Sequence, residues 1–114
     1  GAVVRDSVIF SETVIESNSI VSQSIIDKQV TVKEDSHIGF GNDLTPNRDT
    51  PDLLNSGLTV IAKEATVPDN TQIGRNCRVY SYVEEEDFED NVIPSGNTVL
   101  PEIEDGVYLL DIAE

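Results

Sequence analysis

Aliphatic residues recur about every six positions along the first third of this chain, and few folds tolerate that spacing. Two consecutive strings, 4–20 (VRDSVIFSETVIESNSI) and 21–37 (VSQSIIDKQVTVKEDSH), lie over each other. Val4 meets Val21, Ser7 meets Ser24, Val8 meets Ile25, Ile9 meets Ile26, Ile15 meets Val32 and Ser19 meets Ser36. A helix repeats its apolar stripe at three and four residues and a strand at two, so six fits neither. Such a period means that the chain turns a corner every few residues and returns one aliphatic side chain to a shared interior. That is the signature of a solenoid. The steps from Val4 to Ile9 and from Val21 to Ile26 are five rather than six. Each string therefore reads as one triangular coil with one shortened side.

Within a hexad the interior should receive an aliphatic residue and, four later, a small one: Ile9 with Thr13, Ile15 with Ser19, Val32 with Ser36. The β-branched residues favour short strands, and Asp, Asn, Ser and Gly suit the corners. Residues 39–57 (GFGNDLTPNRDTPDLLNSG) break the pattern with glycines and prolines. They read as an inserted loop that projects from one corner, with Leu53 and Leu54 folding back onto the coil. The period resumes as three clean hexads starting at Ile61, Val67 and Ile73, followed by Val79. Cys77 falls in a small interior slot and reads as a space-filler. From residue 80 the text turns irregular and acidic. Val92, Ile93 and Val99 offer another coil edge with a turn at 94–97, and the apolar VYLL of 107–110 offers a strand or an end cap. The predicted architecture is all-β, a parallel β-helix of about three to four triangular coils. Coils span about 3–38 and 58–79, the loop 39–57, and the acidic segment 80–114, in a single domain. Entry into the repeat by Val4, without Met or an end cap, predicts a piece of a larger two-domain protein.

Charge limits the partners. Twenty-two acidic residues against seven basic give a formal charge of −15, which argues against nucleic acid and anionic membrane surfaces. With Cys77 as its sole cysteine, the chain can form neither an internal disulfide nor a thiolate metal cluster. No apolar run approaches the roughly 20 residues of a membrane-spanning helix.

At the hexads the sequence resembles the left-handed parallel β-helix of hexapeptide-repeat proteins, and the hand comes from that resemblance. Through SIIDKQVTVKEDSHIGFG, a loop containing TPN, and SGLTVIAKEATVPDNTQIGRNCRV, it is similar to the C-terminal domain of bacterial glucose-1-phosphate adenylyltransferases over roughly residues 3–100. The resemblance implies a domain that follows a catalytic domain making ADP-glucose and pyrophosphate from ATP and glucose 1-phosphate, for glycogen synthesis. ATP and Mg2+ would then be bound only in that catalytic domain, with no cofactor in this one. It further implies subunit contacts, a homo-oligomer, allosteric effectors such as sugar phosphates, and a cytoplasmic location.

No catalytic residue carries over, because the family's Gly-rich G-x-G-T-R-like loop is absent. Gly39-Phe-Gly41 is followed by no basic residue, so it is no phosphate loop. The candidate effector-binding residues are Lys63, Arg75 and Arg78, set against the commoner fate of pairing with carboxylates. The acidic run 84–87 lacks the spacing of a Ca2+ loop and reads as a solvated edge, so no metal site is assigned. His37, the only histidine, carries the alternative of a hexapeptide acyltransferase that uses it as general base; the plainer reading is an outward corner residue. A further alternative is the C-terminal domain of a GDP-mannose- or UDP-sugar-forming enzyme.

Overall fold

The computed structural model describes residues 1–102. Thirteen short strands follow one another: β1 (Val3–Arg5), β2 (Val8–Ile9), β3 (Val14–Ile15), β4 (Ile20–Ser22), β5 (Ser24–Ile26), β6 (Thr31–Val32), β7 (His37–Ile38), β8 (Thr59–Ile61), β9 (Thr66–Val67), β10 (Gln72–Ile73), β11 (Arg78–Val79), β12 (Val92–Ile93) and β13 (Thr98–Val99). Each strand pairs in parallel with the strand one coil away, not with its neighbour in sequence. The first sheet runs β1-β4-β7-β10-β12, the second β2-β5-β8-β11-β13, the third β3-β6-β9. This is a parallel β-helix. Three coils are complete, and a fourth has its third side replaced by a short 3-10 turn at Glu85–Asp87. Two sides of a fifth follow. That half-coil is the edge expected from Val92, Ile93 and Val99, with the turn of 94–97 passing through Gly96 at positive φ. The 107–110 stretch read as a strand or cap lies outside the described residues.

The register stacks the predicted aliphatic column. In the first sheet Val4, Val21, Ile38, Ile73 and Ile93 superpose. In the second, Ile9, Ile26, Ile61, Val79 and Val99 superpose. The third stacks Ile15, Val32 and Val67. From Val21 to Val79 these side chains are fully buried, whereas Val4 in the first coil is 45% exposed. Each buried aliphatic stabilises by about 1.5–3 kcal/mol. A thin column thus does the work of a globular core.

The small slots do more than fill space. The Ser19 hydroxyl donates to Lys33 O (2.6 Å) and accepts from Ser36 N (3.1 Å). Ser36 repeats this with Pro68 O and Thr71 N, and Thr59 with Gly74 O and Cys77 N. The hydroxyls bridge coils where the strand ladder is interrupted at the corners. Among the described residues no buried side-chain oxygen or nitrogen lacks a partner, as a stack with so much backbone inside requires.

Each corner is made by one residue in the left-handed region. The first corner, between first and second sheets, uses Asp6, Gln23, Asn76 and Gly96. The second uses Glu12, Gln29, Glu64 and Tyr82, and the third Asn18, Asp35 and Asn70. The non-glycine φ values among these lie between 46° and 64°. Such a conformation costs roughly 1–2 kcal/mol for most residues and less for Asn and Asp. The insertion 39–57 enters and leaves at the first corner.

Candidate functional site

The inserted loop is the most heavily built feature of the molecule. Gly39 starts it at φ 84°, where a Cβ would stand 1.9 Å from Ser22 O, so no other residue fits. Asn47, fully buried, ties the loop to the coils. Its Nδ2 donates to Asn76 O (3.1 Å) and Thr98 Oγ1 (3.2 Å), and its Oδ1 accepts from the backbone of Asp49 and Thr50, both at 3.0 Å. Asn76, also buried and at a corner, reciprocates. Its Oδ1 accepts from Gly57 N (2.7 Å), and its Nδ2 donates to Leu44 O (3.1 Å) and Thr45 O (3.2 Å).

Arg75 closes the two ends of the loop. Its Nε donates to Gly57 O (2.8 Å), Nη1 to Gly41 O (3.0 Å) and Nη2 to Gln23 Oε1. Its guanidinium therefore faces three neutral oxygens and acts as a clamp. Of the candidate basic residues, Arg75 lies at the first corner, Lys63 at the second, and Arg78 on the outward side of β11. The Arg78 guanidinium sits 4.2 Å from the centroid of the Tyr80 ring, a cation–π contact. Lys63 stands over Lys28 of the preceding coil, since Glu64 N donates to Lys28 O. The fold thus separates Arg75 from Lys63 and brings Lys63 together with Lys28. That pairing was concealed by the inserted loop between them.

His37 opens β7 and points outward, half-buried, two residues past the corner residue Asp35. The Phe40 ring meets it edge-on at 5.2 Å and 87°. Burial, helped by the charge of Arg5, lowers its pKa, so it stays neutral at pH 7. Cys77 is buried, its Sγ 3.2 Å from Pro94 O, and burial raises the thiol pKa; it is an unreactive packing residue. In the acidic run Glu85 pairs with Lys33 (3.2 Å) across coils, and Asp87 accepts from Glu84 N (2.8 Å). Among the described residues no three His, Cys, Asp or Glu side chains are grouped to hold a metal ion, and no helix is long and apolar enough to cross a membrane.

Stacked hexads, hydroxyl bridges and left-handed corners define the class, a hexapeptide-repeat protein. The chain belongs to the family described as GlmU-like, C-terminal hexapeptide, which matches residues 1–61. It is 44% identical over 97 residues to a glucose-1-phosphate adenylyltransferase of Thermomicrobium roseum, covering 85% of this chain and 23% of that protein. It is 37% identical over 100 residues to the protein of the same name from Acetivibrio thermocellus, and 30% identical over 110 residues to that of Fervidobacterium nodosum. The chain spans 23% of the length of these relatives and aligns with their C-terminal part. No solved structure matches it.

Proposed function

We propose that this chain is the C-terminal assembly and regulatory domain of a glucose-1-phosphate adenylyltransferase. The observation that carries the reading is 44% identity over 85% of the chain to a relative of that name. On this reading a catalytic domain precedes it in the same cytoplasmic, homo-oligomeric enzyme. ATP and Mg2+ bind there. The phosphate oxygen of glucose 1-phosphate attacks the α-phosphorus of ATP, pyrophosphate leaves, and ADP-glucose forms for glycogen synthesis. This domain supplies no catalytic group and binds neither nucleic acid nor membrane. It holds subunits and receives an effector of the sugar-phosphate class. Lys63, with Lys28 beneath it, is better placed for such an anion than Arg75, whose donors already hold the loop.

The experiment is an assay of the full-length polypeptide with ATP, glucose 1-phosphate and Mg2+. ADP-glucose and pyrophosphate are expected, with a response to sugar phosphates that Lys63→Ala weakens. No pyrophosphate from ATP overturns the reading, and turnover with GTP and mannose 1-phosphate or UTP and a sugar 1-phosphate assigns the parent to those alternatives. Nothing in the geometry favours acyl transfer at His37, which lies against Phe40 and, among the described residues, has no carboxylate to orient it.

A further inference from the structure

The loop 39–57 is fixed from beneath by Asn47, Asn76 and Arg75, yet it turns a leucine outward. Leu53 is 76% exposed, while the adjacent Leu54 is only 9% exposed. Beside Leu53 lies a mainly apolar groove of about 320 Å3, lined also by Ile25, Leu54, Leu58 and Val60, with Thr50, Ser56 and Arg78 completing its lining. Its floor is the outward side of the second sheet, where the register stacks Val8, Ile25 and Val60 in one column that continues through Arg78 and Thr98. The matching outward column of the third sheet is Val14, Thr31 and Thr66. That of the first sheet is Val3, Ile20, His37, Gln72 and Val92, its apolar residues interrupted by the polar pair in the middle. The second sheet has an unbroken apolar stretch, Val8, Ile25 and Val60, and the inserted loop sets a rigidly presented apolar knob beside it. Rigid presentation lowers the ordering cost of binding, and an exposed apolar patch of this kind marks an interaction site.

We propose that Leu53 and this groove are the docking surface for the domain that precedes this segment in the full polypeptide, an inference that rests on the proposed function. Three observations choose that occupant over a second copy of this chain. Most of each relative's length lies outside the matched segment. Half a dozen partly covered side chains fall short of the roughly 800 Å2 per partner that a free dimer needs, whereas a tethered domain arrives at an effective concentration of about millimolar. A formal charge of −15 on each copy opposes self-association through a face with so little area. The face that docks here is apolar and has a recess for one leucine.

Thiol labelling of the full-length polypeptide tests this. Leu53→Cys and Val14→Cys each place a thiol at a position that is more than half exposed in this segment, 76% and 53%, so both variants should fold. Maleimide labelling is followed at those peptides by mass. The expected result is labelling at Leu53→Cys at least tenfold slower than at Val14→Cys, unchanged on dilution. Equal rates overturn the proposal. A slow rate that recovers on dilution overturns it too, and assigns the face to a second copy. The readout does not depend on turnover. An enzyme that makes no ADP-glucose but protects Leu53→Cys refutes the proposed function alone.

Discussion

The first and second corners of the coil are made by the same backbone turn and carry very different loads. At the second, Glu12, Gln29, Glu64 and Tyr82 follow one another at φ 59–64° with no wired side chain among them. At the first, Gln23 and Asn76 adopt the same conformation, but the Asn76 amide holds an inserted loop and the Gln23 amide holds the Arg75 that clamps it. The turn itself is indifferent to what it carries. Specific amide and guanidinium groups, contributed by coils far apart in sequence, convert one corner into a mount.

The largest test of that contrast is Asn47→Ala. It strands several buried backbone groups and should cost about 3 kcal/mol, a drop in melting temperature of roughly 10–20 °C. Gln29→Ala, at the unburdened corner, should stay within about 0.5 kcal/mol; equal losses would erase the distinction. Next comes Asn76→Gly, expected to destabilise by about 2 kcal/mol because three loop hydrogen bonds disappear. Glu64→Gly should instead stabilise by about 0.5 kcal/mol, since glycine adopts the left-handed turn freely. Chemical denaturation of the pair reads the opposite signs. Arg75→Ala should cost about 1–2 kcal/mol, and hydrogen exchange should show faster exchange concentrated in residues 39–57 while the second corner is unchanged.

Smallest is the pH effect at His37. Its folded-state pKa lies below the unfolded value of 6.5, so the unfolded chain binds its proton first. Its contribution to stability is therefore present above about pH 6.5 and lost as pH falls below it. Denaturation of His37→Gln beside the parent chain between pH 7.5 and 5.5 should show a shallower loss in the variant. A steeper loss would contradict the burial of the ring.

The coil was legible in the sequence because its physics is periodic. Ile9, Ile15, Ile26, Val32, Ile38, Ile61, Val67, Ile73 and Val79 are spaced by the geometry of a turning chain, and spacing survives without knowledge of partners. The mount was not legible. Asn47 reads as a generic loop asparagine, and its partners Asn76 and Thr98 lie 29 and 51 residues away. Arg75 reads as a free cation until Gly41, Gly57 and Gln23 surround it. Leu53 and Leu54 look equivalent, but both of their amides turn on Thr50 O, and consecutive side chains there point opposite ways. Only Leu54 folds back. The Lys28 and Lys63 stack also needed the coil count, since the loop hides that they are one turn apart.

A stack of coils normally senses only its nearest neighbours, and such an object peels from its ends one layer at a time. Arg75 and Asn47 change that mechanics. Through Gln23, Asn76, Asn97 and Thr98 they rivet the second coil to the third, fourth and fifth. Pulled along its axis, this domain should shed the first coil at low force and then hold as one block until the rivets fail together. A spring riveted in this way transmits displacement along its length instead of absorbing it.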